Sequence, residues 1–252
     1  MTGVLVAIGL VALAIVISRL LTLGLERELA VTTIRAIVQL TLVGVIVTAV
    51  FEHVGLAAGF VALMFGAAAF TSSRRMRDIP RPLVPAGSAI ALGAATGLIP
   101  LFASGAFETT PRELIPVAGI LIGGAMAATS LTGRRLLDDV RASVPLIEAR
   151  LALGAPVQVA LRPTVRQAAR SGLIPALDQT KNVGLVTLPG TFVGLVLGGA
   201  DPAEAARVQL TVLLALLGVE VVAAVACALL AARACEGPGE RLAFTEARKQ
   251  AA

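Results

Sequence analysis

Long runs without a single charge constrain this chain more than any other feature. Thr2–Ser18, Ala36–Phe51, Val54–Ser73, Pro82–Phe107, Leu114–Gly133 and Asn182–Ala200 hold no Asp, Glu, Lys or Arg, and Val208–Ala232 holds only Glu220. A bilayer core about 30 Å thick asks about 20 apolar residues of a crossing helix, and a backbone in lipid must satisfy its own hydrogen bonds. The fold class that follows is all-α and polytopic. About seven transmembrane helices are expected near residues 3–23, 34–51, 55–71, 83–103, 114–132, 183–200 and 208–232, in one permease-like domain over 1–252. Composition agrees: 57% of residues are hydrophobic and 15% charged, against about 25% charged in ordinary soluble domains. The first run has no Lys or Arg before it and no small-residue cleavage site after it, so it reads as an anchor and not a signal peptide.

Charge sets the expected orientation. Segments around 19–35, 74–81 and 133–182, with the tail from 233, hold 19 of the 21 Lys and Arg; only Arg112 and Arg207 fall elsewhere. Cytoplasmic loops carry the excess of basic residues. The N-terminus is therefore expected outside and the tail 233–252 in the cytoplasm, in a multi-pass protein of the inner (plasma) membrane. The basic residues lie scattered without interleaved aromatics, which points to no nucleic-acid partner.

Several chemistries lack their residues. The only lysines, Lys181 and Lys249, follow no Gly-rich phosphate loop. The single histidine, His53, stands beside Glu52 at an expected outer loop, and no Ser/His/Asp or Cys/His set can form around it. Cys227 and Cys235, eight residues apart on one helix, are too distant for a disulfide and read as small apolar filler. No enzyme activity, metal site or bound cofactor is expected of this chain.

The stretch 133–182 has helical texture. Ser143 and Pro145 start a short helix that Gly154 and Pro156 stop. A second helix is expected from about Pro163, closed by Gly172 and Pro175, with Arg162, Arg166 and Arg170 on one face. That face suits a solvated surface, lipid headgroups or a protein contact.

These residues carry a resemblance. "EARLALGA", Glu148 to Ala155, resembles the coupling motif of ABC transporter permease subunits, with Arg150 in place of the second Ala. "RAIVQLTLVG" (35–44), "IPVAGILIGGAM" (115–126), "IEARLALGA" (147–155), "SGLIPALDQTKNVGLVTLPG" (171–190) and "GGADPAEAARVQL" (198–210) stand in the order and spacing of the FetB-type permeases. That family comprises iron-export ABC permeases related to plant aluminium-tolerance permeases. The resemblance implies a homodimer bound to two copies of an ATPase subunit that holds ATP and Mg²⁺. It also implies a cytoplasmic coupling segment at 133–182, with Glu148, Ala149, Gly154 and Ala155 at the ATPase contact, and metal export. This chain departs from the family pattern at Gly124, where Asn is common, and at Thr191 and Phe192, where a Met-Met pair is usual.

Small and polar residues inside the spans supply the remaining candidates. Close helix packing in lipid favours small residues. Gly190, Gly194 and Gly198 form one such face, and Gly119, Gly123 and Ala127 another beside Gly124 and Ala128. They suit packing within one chain or a contact between subunits. Pro189 should kink a helix at mid-membrane, and with Gly190 it is a candidate hinge of the transport path. Glu220, centred in the last span, costs about 2.5–3.5 kcal/mol on insertion scales. It reads either as a cation-attracting or proton-titrating group or as a neutral acid joining two helices. Gln39 and Gln209 are further polar candidates for the path. An ATP-independent, proton-coupled carrier using Glu220 is the competing function.

Overall fold

The computed structural model describes residues 2–51, 53–237 and 241–242. Glu52 and most of the tail 233–252 lie outside the described residues. The chain divides into two units, Met1–Leu56 and Ala57–Ala252.

The first unit is a helical hairpin of α1 (Thr2–Leu20) and α2 (Glu26–Val50). The turn between them requires left-handed backbone at Thr22 (φ 51°) and Gly24 (φ 71°). Ser18 secures it: its hydroxyl donates to Glu26 Oε1 (2.9 Å) and accepts from the Leu25 N–H (3.2 Å). Glu26 and Glu28 fall in the first turn of α2, where the helix dipole favours acids.

The second unit contains α3 (Val54–Arg75) from Ala57 onward, α4 (Leu83–Ala103), α5 (Pro111–Ala142), α6 (Val144–Ala152), α7 (Val157–Asn182), α8 (Gly190–Leu197) and α9 (Pro202–Ala234). A two-residue strand pair, β1 (Glu236–Gly237) with β2 (Arg241–Leu242), follows α9. Pro111 starts α5 and Pro202 starts α9, each at a position where the missing N–H costs nothing. The Asp201 carboxylate caps α9 by accepting from the Ala203 and Glu204 N–H groups. Among the described residues, six helices are long and apolar enough to span a membrane: α1, α2, α3, α4, α5 and α9.

Two buried layers fix the directions of these helices. One gathers Ala68, Ile90, Ala94, Ala118, Leu121, Ala125, Val219 and Ala223; the other gathers Met76, Ala86, Leu136, Val140, Ile147, Val157, Leu161, Cys227 and Ala231. Both α5 and α9 enter the second layer at their C-terminal ends, so they run parallel. Parallel neighbours require a return crossing between them. The route is composite: α7 lies in the second layer from Val157 to Ala168 and continues back along α5 to the first layer at Leu173, and residues 183–200 then lead to the start of α9.

Two expectations need correction. Residues 183–200 are not one kinked helix. Residues 183–189 are non-helical, and Pro189 (φ −61°, ψ 145°) is the residue before α8, an eight-residue helix. A proline there starts a helix and bends none, so no clash with the Leu185 carbonyl arises. The helix expected from Pro163 to Gly172 instead runs unbroken from Val157 to Asn182 through Pro163 and Pro175. Tertiary packing along α5 and α9 overrides both prolines.

The expected glycine faces left contact within one chain and contact between subunits both open, and within this chain they are mostly not the closely packed ones. Gly190, Gly194 and Gly123 have no neighbouring atom within 4 Å of where a Cβ would stand, and Gly198 meets only carbonyls of its own helix. Gly119 has ordinary contact with Met64 Sδ at 3.6 Å. Tight contacts within this chain fall at Gly93 and Gly97 of α4, and also at Gly124, Gly133 and Gly172. A Cβ on Gly93 would stand 2.8 Å from Ala223 Cβ, and one on Gly97 would stand 2.5 Å from Val219 Cγ2. This pair, spaced like Gly194 and Gly198, lets α4 lie directly on α9.

Candidate functional site

Three places in the second unit bring the sequence candidates into geometry. The first is α6. Ile147 is fully buried among Met76, Leu136, Val140 and Val157 and anchors the helix from below. The Arg150 guanidinium donates to the Ala160 carbonyl (3.0 Å), tying α6 to the first turn of α7. Gly154 adopts φ 86°, a conformation in which a side chain is strained, and closes the helix. Its N–H donates to the Leu151 carbonyl at 2.9 Å, and the Ala155 N–H to the Arg150 carbonyl at 3.1 Å. Glu148 and Ala149 face outward, Ala155 is half-buried, and Leu153 is 88% exposed. Sequence reasoning missed Leu153; the signal was an apolar residue just before the terminating glycine. Along α7, Arg162, Arg166 and Arg170 are all exposed on one side.

The second place is the break between α7 and α8. Asn182 organises it: its carbonyl accepts from the Val186 N–H (3.0 Å) and the Thr187 N–H (3.2 Å). The Gly184 N–H donates to the Thr187 carbonyl (2.9 Å), with Gly184 at φ 85°. The turn thus supplies several of its own backbone partners, as lipid demands. Just before it Asp178 pairs with Lys181 at 3.9 Å, and Asn182 Nδ2 donates to the Asp178 carbonyl. Leu185 is 91% exposed, and Leu188, Thr191 and Gly190 are also open; Pro189 and Phe192 are half-buried. α7 reaches this turn after crossing α5 where Gly172 meets Thr132 so closely that a Cβ would strike the hydroxyl.

The third place is the seam between α5 and α9. Glu220 is 9% exposed and its carboxyl lies against Gly124, with Oε1 3.1 Å from where a Cβ on Gly124 would stand. Gln209, on the same buried side of α9, keeps its Oε1 without a partner, as do the Thr129 and Thr132 hydroxyls of α5. Cys227 donates to the Thr129 carbonyl (3.4 Å) and touches Met76 Sδ (3.7 Å). Both cysteines are free and buried. Among the described residues, no three His, Cys, Asp or Glu side chains gather as a metal cage. Gln39 lies on α2 in the first unit and is exposed there. A groove of about 500 Å³ lies between α4 and α9, lined by Thr96, Pro100, Thr211, Leu214 and Gly218. Its two hydroxyls bond back to their own helices, leaving an apolar surface.

Residues 1–235 match the model of "Uncharacterised protein family (UPF0014)". The chain belongs to the UPF0014 family. Among its UPF0014 relatives, the "Probable iron export permease protein FetB" of Escherichia coli (strain K12) is 32% identical over 246 residues, 97% of this chain and 95% of the relative. "Protein ALUMINUM SENSITIVE 3" of Arabidopsis thaliana is 34% identical over 223 residues, 87% of this chain and 81% of the relative. A rice UPF0014 membrane protein (Oryza sativa subsp. japonica) is 36% identical over 221 residues, 87% and 78% of the two chains. No solved structure matches. Membership makes this a multi-pass protein of a permease-like membrane family, with no catalytic domain indicated.

Proposed function

We propose that this chain is the permease subunit of an ABC transporter that exports a metal ion such as iron. It works as a homodimer in the inner membrane, driven by two copies of a separate ATPase that supplies ATP and Mg²⁺. The observation that carries this reading is α6: a short helix held by Ile147 and Arg150, presenting Glu148, Ala149 and Leu153 outward. An anchored helix transmits force; a loop would absorb it. Because α6 is tied to α7, and α7 crosses α5 at Gly172 before reaching the break at 183–189, a push on α6 is carried toward that break. Movement there, beside Pro189 and Gly190, opens the path.

The relative named as a probable iron export permease supports the cargo, and the excess of basic residues around α6 supports its placement in the cytoplasm. Co-purification with an ATPase subunit tests the reading. Glu148→Arg or Gly154→Asp should abolish capture while the permease still folds. Metal export that proceeds with no ATPase bound would instead favour a proton-coupled carrier built on Glu220.

A further inference from the structure

Glu220 has no hydrogen-bond or ion-pair partner among the described residues, although it is nine-tenths buried in the middle of α9. An unpaired carboxylate in such a place is costly, so a cation or a proton must accompany it. The surroundings offer no counter-charge. α3, α4 and α5 carry no ionisable side chain over Val54–Ser73, Pro82–Phe107 and Leu114–Gly133. On α9 the only other titratable group between Val208 and Ala232 is the Cys227 thiol, which donates to the Thr129 carbonyl. On α7, Lys181 is already paired with Asp178.

The carboxyl has nonetheless been given room. At Gly124 the missing side chain leaves a slot that the Glu220 carboxyl and a Leu216 methyl enter from α9. A Cβ there would overlap Leu216 and press on Glu220 Oε1. The atoms nearest the slot are the Leu216 methyl and the Glu220 carboxyl, and no sulfur stands among them; Met76 lies beside Gly133 and Cys227, and Met64 lies against Gly119. The ligand atoms at the slot are therefore oxygens, which favour hard cations over thiophilic ones.

We propose that Glu220, seated against Gly124, is a proton–cation exchange site for a hard, oxygen-preferring cation. In the empty site the carboxyl holds a proton. On loading, its O–H bond breaks, the proton passes to water, and the oxygen lone pair goes to the cation, which keeps waters as its other ligands; no electron changes hands. This deepens the transport reading above and rests on it for the direction in which the cation moves.

The test uses the full chain purified in detergent, without any ATPase, with Mn²⁺ as the hard probe and Ag⁺ as the soft one. A pH indicator in weak buffer should report about one proton released per Mn²⁺ bound. Glu220→Gln should abolish that release, and Glu220→Asp should retain it. Gly124→Ala, which closes the slot, should weaken Mn²⁺ binding about 10–100-fold while circular dichroism stays unchanged. Equal proton release from Glu220→Gln, or Ag⁺ displacing Mn²⁺ from the site, would overturn the proposal. If the unaltered chain releases no proton on binding Mn²⁺ while ATPase capture is intact, this inference alone fails; proton release without ATPase capture would sink only the transporter reading.

Discussion

A single methyl group decides whether α4 can lie on α9. Gly93 and Gly97 leave no room for a side chain, whereas Gly194 of α8 faces open space. Gly93→Leu is therefore expected to destabilise the protein by about 1–3 kcal/mol through overpacking. Gly194→Ala should stay within about 0.5 kcal/mol; thermal aggregation of the detergent-solubilised chain measures both. Spacing drew attention to Gly194 and Gly198 and passed over Gly93 and Gly97, because a sequence does not show a glycine's neighbours. Only the partner helix distinguishes them. Cys235, just past α9, makes a second residue-scale prediction. Burial pushes its thiol up to about 12, while an unfolded thiol ionises near about 8.5. In a Cys227→Ser background it should resist alkylation near neutral pH until the protein unfolds. Between those two values the folded state holds the extra proton, so this group's contribution to stability is complete below about pH 8.5 and falls as pH rises toward 12.

Helix α6 was legible as an element because its signals are local: Pro145 at the start and Gly154 past the end. What anchors it was not, since Ile147 shares its buried layer with Met76 and Ile79, in the turn after α3 and far away in sequence, as well as with α5 and α7. Ile147→Ala should cost about 2–5 kcal/mol of stability and loosen docking as a consequence. Leu153→Ser removes an exposed side chain and should leave stability within about 0.5 kcal/mol while weakening ATPase capture. Comparing unfolding midpoints with pull-down yield separates the two effects. The α7–α8 break shows the opposite balance. Pro189 and Gly190 mark a discontinuity in any reading of the chain, but the assumption of one continuous span turned it into a kink. The strained position is Gly184, at φ 85°. Gly184→Ala should cost about 1–2 kcal/mol, and Pro189→Ala only about 0.4–1 kcal/mol through greater freedom of the unfolded chain.

At the scale of the whole molecule, apolar run length alone established an all-helical, polytopic protein, because lipid leaves a chain few alternatives. Run length also suggested a seventh crossing at 183–200. A crossing is required there, since α5 and α9 end in the same buried layer, but it is shared between α7 and α8. That division was hidden because α7 carries arginines, Asp178 and Lys181, and no hydropathy pattern marks it as part of a membrane bundle. The seam at Glu220 was half legible: the acid stood out, whereas its slot at Gly124 needed the register of α5 against α9. The central claim is that α6 takes the force of a nucleotide-driven partner. Its most direct test is a photo-cross-linker placed at Ala149 and at Leu153 in the intact transporter. The account predicts adducts with the ATPase subunit at both positions, with yields that change on ATP binding. Labelling by water alone, with no second polypeptide captured in any nucleotide state, would contradict it.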